Sequence, residues 1–565
     1  MISRKRLLYV IGIVLTISII FMIYNFNEEK SNYVRIAQRE IEDVVWMENS
    51  GEVIRAEQSM EVIITGKGDE DLYKDIYQNV YEIINDLKIP YQELDKVEKA
   101  DYGKNSIIVF CDDRIEPYAD LLELGEFIAD GGMVIFAAGL SEGDQDSYLV
   151  PFLGITEKSI RKNYNEFEFE NDLWPLQPEK MNYDGYNMST WIKVNSDADV
   201  YIRDKNDQIP ILYTYDYQDG RCCLVNGTLL SDRGCSGILT GAICAVSEEF
   251  LYPVVGVKSV FLDNFPMVTY VNDELCMKMY GCITESFVRD VAWPQFQGMG
   301  LRTNTVYSSS IIAESAGKES FPKIQEGLFN TIGKSALQHD GELLYSAYAE
   351  KNENYYYNEE LIKGFNETFV DYKIQGLAVM SDEFYEEMLN IPGVDIGAVR
   401  NKLTEKDAFR YTEDYFCFPQ GTYGNDMEAG NLLEICSLYA AYGMISHTFD
   451  INTLIAEDED TASWDKYKKQ IAVFESEVLS KTKLLSAKTL SHVRDYVKSY
   501  DGLNYSWVKN GNEVVINGSD MMVGQMFFYH TQDKLVNVEG ARYEDIGNGY
   551  YMLWIEEEQV VLTVE

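Results

Sequence analysis

Reactive chemistry has few places to start in this chain. Its 565 residues include only four histidines, His339, His447, His492 and His530. His339 lies in a polar QHDGE turn, His492 in a helical pattern and His530 in an alternating β tail. His447 differs, because it follows an apolar run in GMISHTFD and Asp450 stands three residues further on. Upstream, Asp263 closes the apolar run SVFLD and is followed by Asn264-Phe265-Pro266. Asp263, His447 and Asp450 are each expected at a strand end, where barrel folds carry their reactive groups. Two carboxylates and an imidazole within about 8 Å of one another can share a divalent metal or an ordered water, given ligand bonds near 2 Å. The competing readings are structural. Asp263 can terminate a strand before a turn, and His447 can be a core histidine satisfied by backbone. Arg289 and Trp293, in FVRDVAWPQF, are candidate substrate contacts, although Arg289 beside Asp290 can equally be a surface pair worth little.

Two successive α/β patterns and a β tail must position these residues. Residues 61–250 alternate strand and helix. Val62–Thr65 is β-branched, Asp69–Leu87 has apolar residues at helical spacing, and Ser106–Cys111 is a continuous apolar run. Tyr118–Ala129 reads as a helix stopped by Gly131-Gly132, and Met133–Ala138 as the next strand. This succession predicts a parallel sheet in an α/β layer. The layer contains no GxGxxG opening a helix, which argues against a dinucleotide site. From Val257 onward the expected strands are Val257–Leu262, Thr303–Tyr307, Leu343–Tyr345, Gly376–Met380 and Met444–Ser446, with helices at Tyr356–Phe365 and Asp382–Leu389. Repeated units of this kind predict a barrel or partial barrel. A helical stretch over Ala462–Tyr500 closes it. The tail, 505–565, has short alternating segments with Asn510-Gly511 and Asn548-Gly549 as hairpin turns, the pattern of a small β-sandwich.

The stretches IPYQELD, FIADGGMVIFAAG, VFLDNFP, FVRDVAWPQF and GMISHTFD, in that order, carry a resemblance to polysaccharide deacetylases of the NodB-like superfamily. More narrowly, the chain resembles a bacterial family related to the Pel exopolysaccharide deacetylase. The IADGGMVIFAAG segment is similar to flavodoxin-like domains related to glutamine amidotransferases, but residues 60–250 contain no His for a Cys–His pair. The deacetylase resemblance implies a metal-dependent site. One Asp acts as base on a metal-bound water, a second Asp and a HxxxH pair hold the metal, and a further His protonates the leaving amine. Carried onto this sequence, Asp263 takes the base position. The second aspartate position is Asn264, and the histidine pair falls on Ser346 and Glu350. The implied metal set is therefore reduced to His447, Asp450 and Glu350, and a zinc-like divalent metal is expected only if that site is intact.

Arg4, Lys5 and Arg6 precede a run from Leu7 to Tyr24 without a charged side chain. Roughly 20 apolar residues cross a bilayer core as a helix, and the cationic cluster places Met1 in the cytoplasm. Bulky Ile23, Tyr24 and Phe26 do not suit signal-peptide cleavage. The expectation is a single-pass cell-membrane anchor with the bulk of the chain extracytoplasmic. Lys plus Arg number 48 and Asp plus Glu 93, for a net charge of −45. That polyanion argues against nucleic-acid binding and would attract a cationic partner. Nine cysteines without CxxC are expected as free thiols, with Cys276 and Cys282 the only pair close enough in sequence to bond.

These readings define four segments: an anchor over 1–30, a flavodoxin-like α/β domain over 31–250, a deacetylase-like β/α barrel over 251–504, and a β-sandwich over 505–565. The expected function is extracytoplasmic, deacetylase-like and part of Pel-type exopolysaccharide synthesis. Amino-sugar polymer and membrane-embedded synthesis proteins are the expected partners. The site is read as degenerate, with an active N-deacetylase and a purely protein-docking subunit as alternatives.

Overall fold

The computed structural model describes residues 16, 44–47, 60–103, 105–141, 148–178, 181–247, 249–266, 272–310, 329–350, 354–356, 372–379, 386–390, 394–404, 408–455 and 464–565. Among these, no helix is long and apolar enough to cross a membrane. Apart from Thr16, the Leu7–Tyr24 run lies outside the described residues, as do the expected Tyr356–Phe365 helix beyond Tyr356 and the first part of Asp382–Leu389.

The first layer is a nine-stranded sheet. Glu61–Thr65 lies between Tyr91–Glu93 and Ser106–Phe110, and Met133–Phe136 follows, all parallel. Ser106–Phe110 is buried along its whole length, which is why its sequence is continuously apolar rather than alternating. The Asp71–Asp86 helix buries Tyr73, Ile76, Tyr77, Val80, Ile83 and Ile84, one stripe at helical spacing. The Asp120 side chain accepts from the Leu122 and Glu123 amides and starts the Leu121–Ala129 helix. Beyond Met133–Phe136 the sheet continues through parallel Gly220–Val225, then turns antiparallel through Pro210–Tyr217, Asp199–Asp204 and Glu166–Phe169. That second half mixes polar residues into every strand, so its sequence carries no clean period.

The second layer is a nearly closed parallel barrel. Its strands run in the order Phe416–Gln420, Ala398–Lys402, Gly376–Val379, Glu342–Glu350, Tyr307–Ser310, Val257–Asp263, Ile445–Asp450 and Thr422–Tyr423. The first and last of these are one stretch of chain. Phe416–Gln420 pairs with Ala398–Lys402, and two residues on Thr422–Tyr423 pairs with Ile445–Asp450, so the chain bridges the gap between the sheet's two ends. Gly421 makes the crossing. Its amide donates to the Ser446 carbonyl at 3.2 Å, and a Cβ there would stand 2.7 Å from that oxygen. Phe261, Leu344, Ala378, Ala398, Phe416 and Phe418 belong to one buried cluster.

Several expected elements shift. Thr303 ends the Trp293–Thr303 helix, because Asn304 takes a left-handed cap, and the strand begins at Tyr307. The predicted Ala462–Tyr500 helix breaks into Trp464–Val473, a π turn at Phe474–Leu479, a 3-10 turn at Leu490–Val493 and Arg494–Gly502. Between them, Ser486–Ala487 pairs with Val257–Lys258 and covers the amino end of the first barrel strand.

Two four-stranded antiparallel sheets form the sandwich. One joins Asn504–Asn510, Glu513–Ser519, Gln559–Val564 and Leu535–Glu539. The other joins Gln525–Thr531, Tyr550–Ile555 and Ala541–Gly547 with Glu249–Val254, the strand that precedes the barrel. Leu251, Phe527, Tyr529, Leu553, Ile516 and Leu562 share its core. The nine cysteines are free, eight of them buried and Cys282 half-buried.

Candidate functional site

The carboxyl ends of the central barrel strands converge on Asp263. It closes the Val257–Asp263 strand and is fully buried. Arg400 reaches it from Ala398–Lys402. Nη1 donates to Oδ1 at 2.8 Å and Nη2 to Oδ2 at 2.9 Å, so the guanidinium holds both carboxylate oxygens. Arg400 is itself 1% exposed. The Ser310 hydroxyl donates to the same Oδ1. The guanidinium lies over the Phe261 ring, 5.0 Å from its centroid, and Thr448 Oγ1 lies 3.4 Å from Nη1. Such a fork-to-fork pair is the strong form of a charge-assisted hydrogen bond.

Asp450 sits directly opposite Asp263 in the strand register. Its Oδ1 accepts from Asn264 Nδ2 at 2.8 Å and from the Asn452 amide at 2.9 Å. Asn264 adopts a φ of 56°, a left-handed conformation that asparagine tolerates. Burial pushes the Asp450 carboxyl above its ordinary range; the Asn264 and Asn452 hydrogen bonds oppose that, and the Asp263 charge adds to it. Tyr423, on the bridging segment, has its hydroxyl raised by burial and by the charges of Asp450 and Asp263.

His447 lies on the other face of the sheet. It is paired in register with Val260, three residues before Asp263, so alternation points it away from the Asp263 side. Its Nδ1 lies 2.7 Å from Thr422 Oγ1, and its ring packs against Phe449 and Phe474 at 4.5 and 4.8 Å. Burial pushes it down to about 3, against a backbone hydrogen bond at Gly424. Such a histidine is neutral and belongs to the layer between sheet and helices.

The other candidates separate as well. Glu350 ends the Glu342–Glu350 strand, paired with Asn354, and its side chain lies outside the described residues. Ser346 stands on that strand beside Ala378. Arg289 is exposed and makes a forked pair with its neighbour Asp290, both contacts at 2.7 Å. Trp293 is buried; its Nε1 donates to Ser335 Oγ at 3.1 Å and its ring packs 5.1 Å from Phe265. It therefore props the Asn264-Phe265-Pro266 turn rather than facing a ligand. The structure brings Asp263, Asn264 and Asp450 together and leaves His447 and Arg289 apart from them. The sequence reading missed Arg400, Ser310 and Tyr423. A usable signal was present in GAVRNK, where one arginine interrupts a short apolar run.

A metal of the kind the deacetylase resemblance implies does not fit these side chains. The lone pairs that Asp263 would offer are directed at a guanidinium, and the amide nitrogen of Asn264 is committed to Asp450. Among the described residues, no three His, Cys, Asp or Glu side chains gather as a metal-holding group.

An α/β layer, a nearly closed parallel barrel and flanking β-strands make up a deacetylase-like fold. The chain superposes on the crystal structure of Agd3, described as a novel carbohydrate deacetylase, with a TM-score of 0.53 at 9% identity, over 90% of this chain and 99% of that one. A ThuA-like protein from Bacteroides uniformis matches with a TM-score of 0.27 at 13% identity, covering 36% of this chain and 96% of its own. A beta-galactosidase from Bacillus circulans matches at 0.25 and 14% identity, over 34% and 31%. No curated protein matches by sequence. The family described as an uncharacterised protein conserved in bacteria, DUF2194, matches residues 21–348. That is more than half of the chain, and the chain belongs to this family.

Proposed function

We propose that this protein is a membrane-anchored, extracytoplasmic member of a Pel-type exopolysaccharide pathway that binds amino-sugar polymer on a deacetylase-like barrel without hydrolysing it. The observation that carries the reading is the Arg400 guanidinium seated on both oxygens of Asp263. Deacetylation on this scaffold needs a held metal to activate water. Here a fixed organic cation neutralises the would-be base, and His447, the histidine expected beside it, faces away. The fold likeness to a carbohydrate deacetylase and the net charge of −45 favour a sugar polymer bearing free amines. The Arg4–Arg6 cluster and the Leu7–Tyr24 run support the anchor, which would bring the barrel close to membrane-embedded synthesis proteins.

The test uses the full-length protein in detergent. Partly deacetylated chitin polymer should be retained, released by salt, and held equally with or without a chelator. Acetylated oligomers should yield no acetate above background. Metal-dependent acetate release that disappears in Asp263→Ala would establish the active deacetylase instead.

A further inference from the structure

Away from the barrel end, a cleft runs between the first sheet and the sandwich. Three depressions with volumes of about 450, 510 and 390 Å³ make it up. Neighbouring depressions share walls: Met60 and Trp507 line the first two, and Arg221, Ser247, Glu249 and Lys509 line the second and third. One strand furnishes a wall along all three. On Asn504–Asn510, alternation places Tyr505, Trp507 and Lys509 on one face. Tyr505 lines the first depression, Trp507 the first and second, and Lys509 the second and third. Four residues of extended chain span about 13 Å, the length of two to three pyranose units.

The lining chemistry narrows the ligand. Trp507, Tyr91 and Tyr201 are half-buried, leaving part of each ring uncovered. Aromatic rings with a polar rim suit ligands that have apolar faces and hydroxyl edges. Three cations line the cleft: Lys509 pairs with Glu249 at 2.5 Å and Asp533 at 3.5 Å, Arg221 pairs with Asp216 at 2.5 Å, and Lys88 donates to the Asp501 carbonyl at 3.2 Å. Asp172, Asp219 and Glu61 add acid to the lining, so the cleft favours positive ligands. His530 lines the third depression, is 7% exposed, and among the described residues its Nδ1 has no hydrogen-bond partner. A buried polar atom of this kind is costly unless something satisfies it. A hydroxyl or amine of a ligand in this depression would do so.

We propose that this cleft is a second binding groove for an amino-sugar oligomer, with Trp507 as its stacking platform. It rests on the polymer class proposed above but on none of the barrel-end residues. Chitosan hexamer titrated into the full-length protein by calorimetry tests both. Trp507→Ala should weaken binding about tenfold or more, and Trp507→Phe, which keeps a ring, should recover most of it. His530→Phe should weaken binding by a smaller factor, with thermal unfolding confirming that each variant is folded. Unchanged affinity in folded Trp507→Ala, with loss in Tyr423→Ala, would overturn the groove while leaving the barrel-end reading intact. Failure of the wild-type protein to bind the hexamer at all would overturn both.

Discussion

Arg233 and Arg400 are both buried guanidinium groups, 2% and 1% exposed, and both hold carboxylates at hydrogen-bond distance. Their settings differ. Arg233 binds Glu82 and Asp86 at 2.6 Å each and donates to the Leu403 carbonyl at 2.8 Å. Its acids come from the Asp71–Asp86 helix of the first layer, and the carbonyl follows a barrel strand. Tyr500 donates to the Asp86 carbonyl nearby at 2.7 Å. Arg233 is therefore a junction, tying the α/β layer to the barrel. Arg400 has one acid, and hydroxyl groups close around it. It stands where a barrel's strands end, the place where such folds keep their chemistry. Burial and pairing are alike at the two places. Position relative to strand termini, and whether the pair joins modules, is what separates a structural clamp from a candidate site.

The comparison breaks most visibly at the junction. Arg233→Met removes one cation from two acids, and Asp86 is already pushed upward by burial despite its guanidinium partner. Breaking a buried pair from one side costs about 3–5 kcal/mol. Urea or thermal unfolding should show a loss in this range, larger than for Arg400→Met or Glu434→Gln. A loss below about 1 kcal/mol would mean that the Arg233 pairs are no better than surface ones.

Arg400→Met should come next, at about 3 kcal/mol, because it leaves Asp263 buried without its cation. The paired replacement Arg400→Met with Asp263→Leu should recover to within about 1–2 kcal/mol of the wild type, since removing both partners removes the penalty. The double-mutant cycle reads the coupling directly. If Asp263 instead served a metal, Arg400→Met would be nearly neutral and the cycle would show no coupling.

How much of this was open to sequence reasoning depended on burial pattern. Ser106–Phe110 and Val257–Asp263 are buried along their whole length, and the apolar stretches IIVF and VFL mark them, so each is legible to within a residue. Asp263 is legible because it closes VFLD, and Asp450 through its place three residues after His447 in GMISHTFD. Ala398–Lys402 and Phe416–Gln420 were missed, because Arg400, Asn401, Pro419 and Gln420 obscure their period although each strand is buried for most of its length. The same polarity that hides Arg400 in sequence makes it the partner of Asp263. His447 was drawn toward the site by strand-end placement alone. Sequence spacing does not give register, and a register that pairs His447 with Val260 turns it to the opposite face. Glu249–Val254 straddles the expected boundary between residues 250 and 251, and it pairs with Gln525–Thr531, a contact no local pattern encodes.

The smallest effect sharpens the junction. Glu434, on the Leu432–Tyr442 helix, faces Asp232 and Asp184, with Tyr183 and Cys235 also close enough to feel its charge. Burial, then the charges of Asp232 and Asp184, push its carboxyl up to about 8. A folded-state value above the unfolded one means that the native protein binds the extra proton. Stability from this group is therefore full below about 4.5 and is lost as pH rises toward 8. Glu434→Gln mimics the protonated form and should remove that loss. Melting temperatures of variant and wild type should lie close together at pH 5.5 and diverge by pH 8.5, the variant higher by on the order of 1–2 °C. A variant less stable than wild type at pH 8.5 would show that the Glu434 carboxylate is charged and favourably paired in the folded protein, and that the acids at this junction are matched rather than in excess.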